Sequence, residues 1–139
     1  MSTDQQESPA ADHGGRSVLM EVSNAMVGLY KEQFGRGPTK TRTYWCGPDV
    51  MTVVLEDTLV PAERHLVEMG EHQRLRDLRL FFQYATVPEF IEPVERITGR
   101  KVRAFVSGLD SEVDGLSVEC FVLHPEGYEG PSRLEYVDR

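Results

Sequence analysis

Between residues 17 and 35, apolar side chains recur at steps of three and four, the spacing that places them on one face of an α-helix. Ser17 is a suitable N-cap, because its hydroxyl accepts a hydrogen bond from a free N–H of the first turn. Gly35 is a suitable stop, because glycine tolerates the left-handed conformation that ends many helices. The pattern predicts an amphipathic helix with the stripe Val18, Val22, Ala25, Met26 and Leu29.

Two pairs of strand-like segments follow a different pattern, in which alternate residues are apolar. The first pair, 39–46 and 50–56, is joined by the turn residues 46–49 and has a covered side formed by Met51, Val53 and Leu55. In the second pair, 101–107 and 116–123, the shared apolar sides are Val102, Ala104 and Val106, then Leu116, Val118, Cys120 and Val122. Cys120 is therefore expected to act as a small buried hydrophobe.

The region between the two pairs is predicted to be helical. A short helix begins at Pro61 and ends at Gly70, with Ala62, Leu66 and Met69 facing inward. A longer helical region covers residues 71–98, and the capping-box pattern at 86–89 indicates that a second helix starts there. Pro93 is expected to bend this helix, and Gly99 to end it.

The resulting order is helix, hairpin, helices, hairpin, which is two similar halves. A single hairpin is marginal in water, so the two hairpins are expected to join. We predict an α+β two-layer sandwich, with a four-stranded antiparallel sheet and the helices on one face. The domain covers residues 16–124. Residues 1–15 are expected to be a disordered tail and 125–139 a weakly ordered one, in which Leu134, Tyr136 and Val137 provide a possible edge strand.

Composition narrows the class of protein. The chain has 139 residues, about one domain, and 15 basic against 23 acidic residues give a net charge of −8. This charge argues against general nucleic-acid binding, because the phosphates would be repelled. No signal peptide or membrane-spanning segment is visible in the sequence, and two distant cysteines suit a reducing compartment. We therefore expect a soluble, cytoplasmic protein without direct membrane insertion.

Basic residues nevertheless gather at two corners, each just after a predicted helix. The first corner surrounds Gly35-Arg36-Gly37-Pro38 and contains Lys31, Arg36, Lys40 and Arg42; the second contains Arg100, Lys101 and Arg103. One explanation is local, because cations favour helix C-termini and edge lysines deter strand pairing. The other is that both corners converge on an anion or an acidic partner. The Gly37-Pro38 step, which fixes the chain tightly, favours a binding role for the first corner.

Other candidate sites are weaker in the sequence. Four histidines lack zinc-ligand spacing, so no metal and no cofactor is expected. Cys46 precedes a turn but has no identifiable base, and the carboxylates Glu63 and Glu68 have no partner, so we do not expect an enzyme. The arginines at 74, 76 and 79 are expected on a solvated helix face. Most aromatic residues are expected in the core; either Tyr44 or Trp45 must point away from the helices, and if that side chain is exposed it marks a dimer surface.

Three motifs in order resemble the MpsC-like domain family of bacteria: Gly35-Arg36-Gly37-Pro38, Leu59-Val60-Pro61-Ala62-Glu63 and Thr98-Gly99-Arg100-Lys101-Val102. The resemblance covers about residues 16–124. Val60 stands where the family usually has Thr, so the hydroxyl cap of that helix is missing and Thr58 is expected to substitute. The family name comes from a sodium-translocating, membrane-potential-generating system, and related membrane components are linked to inorganic-carbon uptake. The resemblance thus implies a soluble accessory to such machinery.

These observations lead to three ranked hypotheses. The first is a non-catalytic accessory module that binds a protein partner, or a second copy of itself, through the basic corner at 35–42. A membrane transport complex, met at the inner face of the membrane, is the expected partner, and a homodimer the expected state. The second is a sensor of a small anion or nucleotide that uses both basic corners. The third, an enzyme, ranks last.

Overall fold

The computed structural model describes residues 12–13 and 16–133. Its elements are β1 Asp12–His13, β2 Arg16–Ser17, α1 Val18–Phe34, β3 Lys40–Trp45, β4 Val50–Glu56, α2 Pro61–Glu68, α3 His72–Ala85, α4 Val87–Thr98, β5 Val102–Asp110 and β6 Leu116–Leu123. The predicted tail 1–15 lies outside the described residues except for Asp12–His13, which pair with Arg16–Ser17. The predicted edge-strand residues Leu134, Tyr136 and Val137 also lie outside them.

The predicted α+β class is confirmed. The main sheet has the order β3-β4-β6-β5, and every neighbouring pair is antiparallel. The two predicted hairpins join through β4 and β6, so β3 and β5 form the two edges of the sheet. Edge strands offer unpaired backbone groups, which makes these two strands the natural places for contact with another chain.

The core is formed by side chains of α1, of α4 and of the sheet. From α1 it contains Val18, Leu19, Val22, Met26 and Tyr30, and from α4 Phe90, Ile91, Val94 and Ile97. The predicted covered side of β4, namely Met51, Val53 and Leu55, is fully buried in it. Three- and four-residue spacing on α1 and alternation on β4 thus identified the apolar contacts of these two elements correctly.

The expected covered sides of the other two strands are wrong. On β6 the buried side carries Ser117, Glu119, Phe121 and Leu123, and Cys120 is only half-buried on the opposite side. On β5 a register shift between Val102 and Ala104 turns Phe105 inward and leaves Val106 57% exposed. Both strands are apolar on two sides, so alternation alone could not choose between them.

The middle helices also differ from expectation. In α2 the side chain that turns inward is Glu63, whereas Ala62 and Met69 are exposed and Leu66 is half-buried. Thr86 precedes α4 as predicted, but its hydroxyl donates to the carbonyl of Phe82 at 2.9 Å and does not cap the helix. The expected core aromatics of α3 are exposed, namely Phe81, Phe82 and Tyr84.

Candidate functional site

The first basic corner begins where α1 ends. Gly35 adopts the left-handed conformation (φ 82°), and its N–H donates to Lys31 O at 3.0 Å, as expected for a glycine stop. A Cβ at Gly37 would lie 3.0 Å from Lys31 Cε, so the stem of Lys31 lies directly over the Gly37 backbone. A side chain at position 37 would have to displace the flexible stem of Lys31.

Arg36 is engaged within its own half of the fold. Its guanidinium donates to the carbonyls of Asp57 and Leu59, both at 2.8 Å, and pairs with the Asp57 carboxylate at 3.3 Å. Arg64 reaches the same carboxylate at 2.6 Å. The pKa of Asp57 is lowered, mainly by the hydrogen bond from Arg64 and to a smaller extent by the hydrogen bond from Arg36. Burial acts in the opposite direction, but its effect is smaller than that of the Arg64 bond. Arg36 thus ties the end of α1 to the β4–α2 loop.

Arg100 has the same role in the second corner. It donates to His124 O at 2.6 Å and to Pro48 O at 2.9 Å, and it pairs with the Asp49 carboxylate at 2.5 Å. These bonds link the end of α4 to the β3–β4 turn and to the end of β6. Both Gly-Arg arginines therefore connect loops to helix ends.

The two corners do not converge. Lys40 lies on edge strand β3 opposite Glu56, whereas Lys101 and Arg103 lie at the start of β5, the other edge. Three strand spacings separate the edges, roughly 14 Å. Val102 also pairs with Leu123, at the end of the sheet remote from Lys40. The alternative in which both corners converge on one ligand does not fit this strand order, because the two hairpins join through their second strands.

Lys40 and Arg42 border a groove between α1 and β3. The groove has a volume of about 210 Å³ and is lined by Leu19, Met20, Ser23 and Asn24 from α1 and by residues 40–43 of β3. Ser23 Oγ and Thr43 Oγ1 join its two walls at 2.7 Å. Thr41 Oγ1 is buried there without a hydrogen-bond partner among the described residues.

The two basic residues of this groove differ in what stands opposite them on β4. No ion pair joins Lys40 or Arg42 to a carboxylate within residues 16–133. Glu56 stands across the ladder from Lys40, and Val54 stands across from Arg42. The groove therefore runs along an edge strand whose other face carries two cations, an arrangement that suits an extended ligand bearing negative charge.

A buried ion pair between α2 and α3 was not predicted from the sequence. Arg79, expected on a solvated helix face, is 0% exposed and donates to Glu63 at 2.9 and 2.5 Å. It also donates to the Thr58 carbonyl at 2.8 Å, and its guanidinium lies 4.1 Å from the centre of the Phe34 ring. Thr58 donates to Gly115 O at 2.6 Å, so it does not cap α2 as expected. The spacing of Glu63 and Arg79 offers no local signal for the pair.

A second buried polar cluster lies on the inner face of β6. Tyr30 donates to Glu119 Oε2 at 2.5 Å, and Gln83 Nε2 bonds both this oxygen and the Tyr30 hydroxyl. Burial raises the pKa of Glu119 to about 7, although the Tyr30 hydrogen bond and other contacts oppose it. Glu119 Oε1 and Ser107 Oγ have no hydrogen-bond partner among the described groups. The cluster is sealed from solvent, so it does not face a bound molecule.

The cysteines and the metal-ligating side chains of the described residues do not come together in a catalytic or metal site. Cys46 is exposed; its thiol donates to Thr52 Oγ1 at 3.5 Å, and Thr52 Oγ1 in turn lies 3.7 Å from Cys120 Sγ. Across the described ranges no group of three His, Cys, Asp or Glu side chains is placed to hold a metal ion. Among those ranges, no helix has the length and apolarity to cross a bilayer.

Comparison with known proteins gives one result. The family model described as "Na+-translocating membrane potential-generating system (MpsC)" matches residues 16–124. Neither the curated proteins nor the solved structures contain a significant match.

Proposed function

The chain belongs to the MpsC family, and from this premise we propose that it is a non-catalytic accessory module that binds a protein partner of a membrane-potential-generating system. The family description names such a system as sodium-translocating. We place the contact at the first basic corner, on the surface formed by Lys31, Lys40 and Arg42. The module would work in the cytoplasm, at the inner face of the membrane.

The observation that carries this proposal is that some basic residues of the two corners have hydrogen-bonded acidic partners and others do not. Arg36 and Arg100 are engaged by backbone carbonyls and by Asp57 and Asp49, whereas Lys40 and Arg42 border an open groove without an ion pair to a described carboxylate. Uncompensated cations beside a groove favour contact with an acidic surface.

Co-purification from native membranes tests the proposal. Affinity-tagged chain should retain transport-system proteins, and Lys40→Glu with Arg42→Glu should remove them, because the reversed charges repel an acidic surface. Lys101→Glu with Arg103→Glu, which makes the same change in charge at the opposite edge, is the matched control and should leave retention unchanged. Equal retention by all three proteins would contradict the proposed surface.

We also propose that the chain forms a homodimer through the outer face of the sheet. Trp45 packs against the core, so Tyr44 is the aromatic residue that faces outward, with Thr52, Cys120 and Val106 beside it across the ladder. Val54, Val118 and Val122 continue this half-buried apolar face. Val106→Glu should convert dimer to monomer in sedimentation, whereas Phe81→Glu on exposed α3 should not. A monomeric wild-type chain at micromolar concentration would refute the dimer.

A second candidate function, a small-anion sensor, is favoured by Lys40 and Arg42, which stand two residues apart on one face of β3 beside the groove. Because the corners lie on opposite edges, the first corner alone would hold the anion. Calorimetry against inorganic phosphate, bicarbonate and nucleotides tests it. Saturable binding that Lys40→Glu with Arg42→Glu abolishes would support the sensor, and absence of heat with all three ligands would exclude it.

A further inference from the structure

We infer that the free edge of β3 accepts an extended acidic segment of the partner as an added strand, alongside α1. This inference rests on the proposed function, since it names the chemistry and conformation of the partner at that same surface. Strand addition is a common mode of recognition in which main-chain hydrogen bonds supply affinity and alternate side chains supply specificity.

The backbone of β3 is free to pair on one side. β3 pairs with β4 on one side, and no described strand pairs with its other side. Cys46 N donates to Val50 O at 2.8 Å, and hydrogen-bonded pairs alternate along an antiparallel ladder. The N–H and C=O groups of Thr41 and Thr43 therefore point to the free edge, and a six-residue strand remains open to pairing.

The groove beside this edge can hold an added strand. The groove lies between α1 and the open side of β3, so an incoming chain would lie against Leu19 and Met20 while it pairs with the strand. Met20 is 51% exposed and supplies an adaptable apolar contact. Asn24 offers a polar contact in the same space.

The positive charges on β3 favour an acidic partner. Lys40 and Arg42 are two residues apart, so they stand on the same side of β3. Opposite charges that face each other across a ladder are favourable, and like charges are not. An added strand should therefore carry Asp or Glu at alternate positions. A second copy of β3 would bring Lys40 and Arg42 against their own equivalents, which disfavours self-pairing at this edge.

The test uses the full chain and a short synthetic peptide in which Glu alternates with Thr. Trp45, the single tryptophan, ends β3 and reports binding through its fluorescence. We expect saturable binding by the Glu–Thr peptide and none by its Lys–Thr counterpart. The Lys40→Glu, Arg42→Glu variant should bind the Glu–Thr peptide about tenfold or more weakly, whereas Lys101→Glu, Arg103→Glu should bind as wild type.

N-methylation of the peptide separates strand addition from simple charge attraction. Methyl groups on one set of alternate amides should abolish binding, and methyl groups on the other set should not, because only one set faces β3. Thr41→Pro, which removes an edge-facing N–H, should weaken binding in the same way. Equal binding by both methylated peptides, or no binding of the Glu–Thr peptide, would overturn the inference. A Trp45 signal that depends on chain concentration without peptide would assign the edge to a second copy.

The two proposals fail separately. If the Lys40→Glu, Arg42→Glu variant loses its partners in co-purification while both N-methylated peptides bind equally, the partner surface stands and strand addition is rejected. If the peptide pairs as expected but co-purification is unaffected by the same variant, the edge binds acidic strands and the proposed partner surface is rejected.

Discussion

Glu119 is the residue whose environment departs most from that of a surface carboxylate. It is 0% exposed, and one of its oxygens has no hydrogen-bond partner among the described groups. An acid whose pKa is higher in the folded than in the unfolded state favours the folded state while it is protonated. The folded protein therefore binds more protons than the unfolded chain between pH values of about 4.5 and 7.

The resulting prediction concerns stability against pH. The free energy of unfolding contributed by Glu119 should be fully present below about pH 4.5 and should be lost as the pH rises through about 7. The loss is on the order of 3 kcal/mol, since each pKa unit corresponds to about 1.4 kcal/mol. Glu119→Gln keeps the shape without the charge, so urea titrations should show a flatter pH profile and a more stable protein at pH 8. An unchanged profile would contradict a buried, protonated Glu119.

The Arg79–Glu63 pair gives a second prediction at this scale. Arg79→Met should lower the free energy of unfolding by about 3–5 kcal/mol, because it leaves the Glu63 carboxylate buried without its cation. Arg79→Met combined with Glu63→Leu should recover much of this loss. Arg96→Met, which breaks the exposed pair with Glu92, should cost less than about 1 kcal/mol in the same urea titrations. A large cost for both pairs would argue against a special role of burial.

These buried charges show what the sequence could not disclose. Glu63 and Arg79 are 16 positions apart on different helices, and each is surrounded by other charged residues. Charged residues are rarely buried fully, so a solvated helix face was the reasonable expectation for Arg79. Their pairing depends on the angle at which α2 and α3 meet, which is a tertiary property.

At the scale of elements, the Gly-Arg steps act as ties between a helix end and a distant loop. Arg100→Gln should loosen the β3–β4 turn, because it removes bonds to Pro48, Asp49 and His124. One charge-assisted bond contributes about 1.5–3 kcal/mol, so a net loss equal to one such bond should make local opening roughly ten- to a hundred-fold more frequent. Amide hydrogen exchange of Leu123, whose N–H donates to Asp49 O at 2.7 Å, should accelerate accordingly.

A matched measurement checks that the effect is local. In Arg100→Gln, exchange at the Val60 amide, which donates to Glu63 at the opposite corner, should not change. In Arg36→Gln the reverse is expected, with faster exchange at Val60 and no change at Leu123. Equal acceleration at both amides would indicate global destabilisation instead of two separate ties.

The elements themselves were largely predictable, and the orientation of two of them was not. The periodicity of α1 is a strong signal because the opposite side of the helix is mostly polar, and the alternation of Met51, Val53 and Leu55 is marked by Thr52 and Glu56 on the other side of β4. The sequence of β6 is Leu-Ser-Val-Glu-Cys-Phe-Val-Leu, with apolar residues on both sides of the strand. The side that is buried is the one that contains the polar residues Ser117 and Glu119. The presence of Gln83, Tyr30 and Arg79 opposite this side makes the polar residues acceptable in the interior.

At the scale of the whole molecule, the order of the strands decides how the surface can be used. Joining the two halves through β4 and β6 sends the basic corners to opposite edges, so recognition must occur at one corner at a time. The sequence indicated both halves and the four-stranded sheet. It could not indicate which strands meet at the centre, because either hairpin can pair through either strand.

The overall charge of −8 makes binding at the β3 edge sensitive to salt. The distant carboxylates repel an acidic partner, and the nearby Lys40 and Arg42 attract it. At physiological ionic strength the screening length is about 8 Å, so the local attraction should prevail. Affinity for an acidic partner should therefore fall as salt increases above about 0.15 M, measured by Trp45 fluorescence. An affinity that rises with salt would indicate an apolar contact instead.

The most direct test of this division between structural and recognition arginines compares two single substitutions in one experiment. Arg42→Gln and Arg36→Gln remove one guanidinium each from the same corner, and the partner retained by the tagged chain is quantified at a temperature where both variants are folded. The account predicts that Arg42→Gln retains markedly less partner at unchanged stability, while Arg36→Gln retains the wild-type amount with a lower free energy of unfolding. Full retention by Arg42→Gln together with loss by folded Arg36→Gln would contradict it.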